Sequence, residues 1–332
     1  MKKRIWFNRW FRTGVNIIDK IRLFDTEKEY EIFITHHEKD REFMKRADFF
    51  STEEYMTREK YIDFCVDFCK RNRIDIFIPK YRLDDISRNR DRFEKIDVAL
   101  MISAEKDVME LVQDKARFYE DVEGCGIVDI PEYYIVKNFE DFIDSYGCVC
   151  RKNKKACYKP CVSEGGIGFK IVCEKKELKN ESKSFISFEK ACSTLKSGNE
   201  LEALVLMEFL EGPEYSIDCL AYGGKLLAAV PRKKTGWTRT LENNPSLIEI
   251  SRKIAERYEF SYAFNVQIIY SKGVPYLLEV NPRMSGGIDV SCMSGINFPR
   301  LALELLVKGT AEIPEPKFGM TFHSDPGGRK KS

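Results

Sequence analysis

The stretch FNVQIIYSKGVPYLLEVNPRMSGG, from Phe264 to Gly287, decides how this chain is read. Its apolar runs Val266–Tyr270 and Tyr276–Val280 flank a turn at Ser271-Lys272-Gly273 and predict a β-hairpin. On the second run Glu279 and Asn281 alternate, so their side chains share a face. Gln267 and Glu279 lie equally far from Gly273 along the chain. A loop of odd length centred on that glycine sets them opposite each other, whereas an even loop puts them on opposite faces. In the odd register three hard oxygen ligands converge, a set that suits Mg²⁺ (or Mn²⁺) shared with substrate phosphates. Arg283 then supplies a fixed cation where phosphoryl charge develops. A polar stripe on a hairpin is often only a solvated face. Here the apolar flanks imply buried strands, and a buried carboxylate needs a partner.

The remainder of the chain bounds the answer. With 332 residues it can bury a sizeable core and divide into two or three subdomains. Lys and Arg number 55 against 53 Asp and Glu, a balance that gives no sign of a dedicated nucleic-acid binder. No apolar run approaches the ~20 residues of a membrane span. The opening MKKRIWFNRWFR is charged like a signal peptide, but Asn8, Arg9 and Arg12 interrupt any apolar centre, so a cytoplasmic protein is expected. The 11 cysteines read mostly as small buried hydrophobes; Cys148, Cys150, Cys157 and Cys161 lack the paired knuckles of common zinc sites. His36, His37 and His323 form no ligand or triad pattern.

Residues 1 to about 105 alternate short strands (Arg4–Phe7, Tyr30–Thr35, Ile74–Pro79, Val98–Ile102) with helices (Val15–Leu23, Arg58–Asn72), which predicts a small parallel α/β sheet. The first strand is followed by Asn8-Arg9-Trp10-Phe11-Arg12-Thr13-Gly14 rather than G-x-G-x-x-G, so a dinucleotide fold is excluded. Asn8, Arg9 and Arg12 stand where open α/β sheets place ligands. Ser103–Val122 reads as one helix capped by Ser103, and Val136–Tyr146 as a helix opening near Asn138. Cys148–Cys173 reads as strand, basic turn, strand, glycine-rich loop and strand. Leu204–Leu210 reads as a strand, Ser216–Tyr222 with Leu226–Pro231 as a hairpin, Pro245–Tyr258 and Phe298–Lys308 as helices, and the tail from Pro314 as loose.

Two further segments carry chemistry. In Lys159-Pro160-Cys161-Val162-Ser163-Glu164-Gly165-Gly166-Ile167-Gly168, the three glycines let backbone N–H groups fold around anionic oxygens, and Lys159 adds a point charge. Lysine precedes the glycines and strands flank them, so this is no Walker loop; an ordinary glycine turn is the plainer alternative. In Leu206–Ser216, a strand end offers backbone donors and acceptors of the kind an adenine edge requires, with a carboxylate beyond for ribose hydroxyls. Arg232, Lys233 and Lys234 form a basic turn, commonly just solvated.

In order and content these pieces resemble the ATP-grasp superfamily. The likeness is to its carbamoyl-phosphate-synthetase-large-subunit-like members, including stand-alone proteins linked to tellurium-resistance genes. The N-x-Q…E-V-N-P-R combination is its specific part. The resemblance implies α/β and α+β architecture: a pre-ATP-grasp domain over 1–105, an ATP-grasp domain over 106–312 with a lid at about 135–203, and a tail over 313–332. It implies that Lys115 and Lys159 reach ATP phosphates under a mobile loop of Ser163, Gly165, Gly166 and Gly168. Glu208, Phe209 and Leu210 would meet adenine and Glu214 the ribose. Gln267, Glu279 and Asn281 would hold the metal, Arg283 and Arg232 would act on the transferring group, and Met284–Gly287 would lie on the substrate side. The implied activity is an ADP-forming ligase that joins a small-molecule carboxylate to an amine or a thiol through an acylphosphate. Neither nucleic acid nor membrane is implied as a partner, and a homodimer is left open. The rivals are a small-molecule kinase on the same fold, a nucleotide-binding regulator without turnover and, ranked lower, half of a split carbamoyl phosphate synthetase.

Overall fold

Apolar triplets near the N-terminus, Ile5-Trp6-Phe7 and Ile32-Phe33-Ile34, are buried on both faces, as a parallel sheet demands. The computed structural model describes residues 2–23, 25–151, 155–163, 166–173, 184–197 and 203–323. Its first part runs β1 (Lys3–Asn8), α1 (Gly14–Arg22), β2 (Tyr30–His36), α2 (Arg41–Arg46), β3 (Phe49–Thr52), α3 (Arg58–Asn72), β4 (Ile76–Ile78), α4 (Leu83–Arg88), α5 (Arg90–Glu94) and β5 (Ala99–Leu100). The strands form a parallel sheet of order β3-β2-β1-β4-β5. Trp6 of β1 is stacked between Phe68 and Phe77, with ring centroids 4.5 and 4.0 Å away. Sequence reading anticipated this sheet but not α2, β3, α4 or α5, which are short and weakly periodic.

The chain continues through α6 (Lys106–Gln113), α7 (Lys115–Glu123), β6 (Tyr133–Val136), α8 (Phe139–Cys150), β7 (Ala156–Pro160), β8 (Lys170–Cys173), β9 (Phe185–Ser187), α9 (Phe188–Ser197) and β10 (Leu204–Glu208). These strands make a second sheet of order β6-β10-β7-β8-β9. Val136, Phe142, Val149, Tyr158, Val172, Ala191 and Leu206 form its core. Three expectations are corrected here. The single helix over 103–122 is two helices. Ser103 caps neither, because its hydroxyl donates to the carbonyls of Ala263 and Pro282 at 3.1 and 2.7 Å. Cys148 and Cys150, expected on a strand, end α8, whose Asn138 cap accepts from the Asp141 N–H. The Lys152–Lys154 part of the basic turn lies outside the described residues.

The last part comprises β11 (Glu214–Tyr222), β12 (Lys225–Thr235), β13 (Thr238–Leu241), α10 (Pro245–Arg257), β14 (Tyr262–Ser271), β15 (Val274–Asn281), α11 (Ile288–Ser291), α12 (Phe298–Lys308) and β16 (Thr321–His323). The third sheet has the order β15-β14-β11-β12-β13-β16. The segment expected to be loose is ordered as far as His323. Lys317 and Gly319 donate backbone hydrogen bonds to Ser294 and Leu241, and β16 pairs with β13. No single helix among the described residues is long and apolar enough to cross a membrane.

Two compact units result: Met1–Glu110, Ser216–Val266 and Asn281–Ser332 form one, and Leu111–Tyr215 with Gln267–Val280 the other. The first holds together across distant sequence because Ile17, Ile18 and Ile21 of α1 share a core with Phe298, Leu301 and Leu305 of α12. Burial of apolar area at about 25 cal/mol per Å² drives that association.

Candidate functional site

Within the second unit, the break between α6 and α7 positions the first lysine. Asp114 is extended (φ −94, ψ 100), and its carboxylate accepts from the N–H groups of Ala116 and Arg117, ending one helix and capping the next. It also bridges to Val162, while the Lys115 N–H donates to the Cys161 carbonyl at 3.0 Å. Lys115 is thereby pinned at the first turn of α7, only 5% exposed, with Nζ 2.8 Å from the Ser163 carbonyl. The start of the glycine-rich loop and the first candidate phosphate lysine are physically joined.

Lys159 near the end of β7 is held differently. Its Nζ donates to the Tyr119 hydroxyl at 3.1 Å and to the Leu278 carbonyl at 3.1 Å. Tyr119, fully buried on α7, donates its own hydroxyl to the same Leu278 oxygen at 2.6 Å. Nζ also lies 5.5 Å from the centre of the Tyr119 ring. Both acceptors are neutral, and among the described residues Lys159 makes no ion pair. Burial pushes the ammonium below its ordinary value, against a smaller upward pull from the Glu279 carboxylate. Burial likewise raises the Tyr119 phenol well above its usual range, with Glu279 adding to it, so it stays protonated. A partly desolvated cation on neutral acceptors can take an anion such as phosphate.

The strand end at Glu208–Glu214 has its donors largely assigned. The Glu208 N–H donates to the Glu132 carbonyl at 3.0 Å and the Phe209 N–H to that of Lys155 at 2.7 Å. The Leu210 N–H has no partner among the described residues. Of the three residues expected to meet adenine, Leu210 therefore offers the backbone donor, and Glu208 can contribute only its carbonyl. Glu214, the expected ribose ligand, opens β11 half-buried. Between them Gly212 adopts φ +152, where a Cβ would collide with the Tyr270 carbonyl. The absent side chain lets Tyr270 N–H reach the Pro213 oxygen at 3.0 Å. Gly212→Ala should destabilise the fold by at least the ~1–3 kcal/mol of a strained backbone position. An unchanged denaturation midpoint would refute this close approach.

The glycine loop is partly described. Gly166 and Gly168 both have positive φ (75° and 79°), and the Phe169 N–H closes a turn on the Gly166 carbonyl at 3.2 Å. Gly165 lies outside the described residues.

The candidate metal ligands need a correction of register. The loop between β14 and β15 holds two residues, not three: Lys272 (φ 51) and Gly273 (φ 82) are both left-handed, as a type I′ turn requires. Counted from this turn, an unbroken ladder sets Gln267 opposite Leu278, with Glu279 one position on. Gln267 shares a face with Glu279 only where a bulge adds a residue to one strand. Glu279 and Asn281 are paired by the strand itself. One acid with one or two amides brings a single negative charge, so these residues could hold a divalent ion only jointly with phosphate oxygens.

In the first unit, Arg283 follows Asn281, whose carbonyl accepts its N–H at 2.8 Å, and its guanidinium lies 5.3 Å from the Phe11 ring centre. Arg232 is buried (4% exposed) and is not a solvated turn residue. Its Nη2 donates to Asp218 at 3.1 Å and to Ser216 and Ser285 at 3.2 and 3.3 Å, and its Nε to Ser291 at 3.2 Å. Asp218 is completely buried and also accepts from Ser291 at 2.6 Å and Asn265 at 2.9 Å. Gly287 packs on this guanidinium, where a Cβ would come within 2.7 Å of Nη1. Arg232 thus braces the Ser285–Gly287 loop from behind. Of the residues ending β1, Asn8 is buried and tied to Tyr61, Tyr81 and Lys80. Arg9 pairs with Glu53 over Tyr81. Arg12 alone of the three is exposed, without a partner among the described residues.

Tyr119, Asp218 and Asn265 were missed from sequence. Lys115 and Tyr119 stand at i, i+4 on one helix face, and Ser216 and Asp218 alternate on a strand, but neither spacing names its partner.

The solved N5-carboxyaminoimidazole synthetase of Staphylococcus aureus, complexed with ADP, superposes with a TM-score of 0.70 over 98% of this chain and 83% of that one, at 12% identity. This is the ATP-grasp fold. Residues 200–324 of the chain match the family described as ATP-grasp in the biosynthetic pathway with Ter operon. The arginine-specific carbamoyl phosphate synthase large chain of Geobacillus stearothermophilus is 24% identical over 228 residues, 64% of this chain and 20% of that protein. Human carnosine synthase 1 is 32% identical over 100 residues, 25% of this chain and 12% of that protein. The chain thus spans a fifth or less of the length of either relative.

Proposed function

We propose that this chain is an ATP-dependent ligase that activates a small carboxylate and passes it to an amine. The carboxylate oxygen attacks the γ-phosphorus, the bond to the β-phosphate oxygen breaks, and ADP leaves. The amine nitrogen then attacks the acyl carbon, the carbon–oxygen bond to phosphate breaks with its electron pair leaving on phosphate, and the nitrogen gives up a proton. A thiol could take the place of the amine.

The observation that carries this reading is Lys159, a partly buried cation resting on neutral acceptors beside the strand of Glu279. Phosphoryl transfer asks for positioning and charge neutralisation rather than a protein nucleophile. Lys115 and Lys159 would take the phosphates, with Ser163, Gly166 and Gly168 over them. Leu210 N–H and the Glu208 carbonyl would hold adenine, and Glu214 the ribose. Arg283 would steady the group in flight, and Arg232 would act on it by fixing the Ser285–Gly287 loop. Mg²⁺ held by Glu279, Asn281 and, given a bulge, Gln267 would supply further charge neutralisation when bound with ATP. Both sequence relatives are named as synthases, and the S. aureus synthetase was solved with ADP, which supports the ligase class.

The test is ADP release from ATP with panels of carboxylates and amines. Turnover should need both, with inorganic phosphate as the second product. A phosphorylated carboxylate or alcohol accumulating without amine would replace the ligase by a kinase. Binding of ATP with no turnover on any pair would favour the regulator.

A further inference from the structure

We propose that Tyr119 is the positioning residue of Lys159, its hydroxyl aiming the ammonium so that one N–H remains for a phosphate oxygen. This rests on the nucleotide reading above and adds a residue to it. The geometry is a closed triangle: Tyr119 Oη to Leu278 O at 2.6 Å, Lys159 Nζ to Tyr119 Oη at 3.1 Å, and Lys159 Nζ to Leu278 O at 3.1 Å. By giving its proton to Leu278, the phenol turns a lone pair toward the lysine. That orientation is enforced, because Leu278 offers only an acceptor and Lys159 only donors.

Two of the three ammonium hydrogens are thereby spent on neutral oxygens, and the third keeps its full charge available. The residue before Glu279 supplies one corner, so the triangle also ties the lysine to the strand that carries the acid. The ring contributes as well, since Nζ lies 5.5 Å from its centre. The titratable groups acting on Lys159 are the Glu279 carboxylate and the Cys157 thiol, which burial keeps protonated, and neither reaches it as a hydrogen-bond partner. Without the hydroxyl the ammonium loses an acceptor that favours its charged form, so its proton should leave at lower pH.

Tyr119→Phe keeps the buried ring and should fold as the parent does, which a thermal melt checks. MgADP affinity is measured for the parent, Tyr119→Phe, Lys159→Met and the double variant. In the parent background the loss of the hydroxyl should weaken MgADP about tenfold, the size expected for a hydrogen bond to a charged group. In the Lys159→Met background the same loss should have little effect. An equal weakening in both backgrounds makes Tyr119 merely structural and overturns the proposal. A second measurement needs no nucleotide: acetylation of Lys159 against pH, read by peptide mass. Its midpoint should fall in Tyr119→Phe, and an unmoved midpoint also overturns the proposal. If the parent binds no MgADP, the nucleotide reading fails, and the acetylation profile still decides the role of Tyr119.

Discussion

Glu279→Ala is expected to remove ADP-forming turnover while leaving the fold intact. Glu279 is the only acid among the three candidate metal ligands, so its loss leaves only one or two neutral amides to face a divalent ion. Charge stabilisation by such an ion amounts to several kcal/mol in a transition state. At 1.36 kcal/mol per tenfold in rate, the turnover number should drop about a thousandfold. A second effect has the same sign. Glu279 draws the Lys159 pKa upward against burial, so its removal lets that pKa fall further. The fraction of charged Lys159 is full below its folded pKa and is lost as pH rises through it. The variant's affinity for nucleotide should therefore decline at lower pH than the parent's. Stability should change little, since Glu279 is half-exposed on β15. A variant that still forms ADP within about tenfold of the parent would remove Glu279 from the site.

Asp218→Ala should act in the opposite way, on the fold rather than the chemistry. Its carboxylate is wholly buried and serves Arg232, Ser291 and Asn265 at once. Truncation leaves the Arg232 guanidinium buried without its counter-charge. Breaking a buried pair in this manner costs about 3–5 kcal/mol. Against a typical total of about 5–15 kcal/mol, the variant should be marginal at 37 °C. Denaturant titration reads this directly. A midpoint close to the parent's would mean that water reaches Arg232 and that the Ser285–Gly287 loop is braced by something else.

Local signals located most elements. The helix Arg58–Asn72 was readable because Tyr61, Ile62, Cys65, Val66, Phe68 and Cys69 repeat on one face. Asn138 marked a helix start that its side chain does cap, and the structure adds side-chain caps at Asn244 and Asn297 to the helices expected from Pro245 and Phe298. The split at Asp114 escaped notice because the apolar period continues across it, while the isolated bridge to Val162 that stabilises the break comes from a loop distant in sequence. Loop length in the β14–β15 hairpin escaped for a different reason. Lys272 takes a positive φ, which its residue type seldom does, and that one angle shifts the whole ladder by a position. The Arg232 segment looked like a solvated turn because the run of three basic residues conceals that only Arg232 points inward at Asp218.

Residue type and spacing alone determined that this chain builds a parallel N-terminal sheet, a glycine loop preceded by a lysine, and a strand bearing Glu279 and Asn281. Those follow from periodicity and backbone chemistry, which act over a few residues. Tertiary structure decided what each charge meets: Lys159 finds Tyr119 40 residues away and Leu278 119 residues away. Electrostatic environment is a property of distances in space. Desolvation and partner choice could thus be known only once the strands had been brought together.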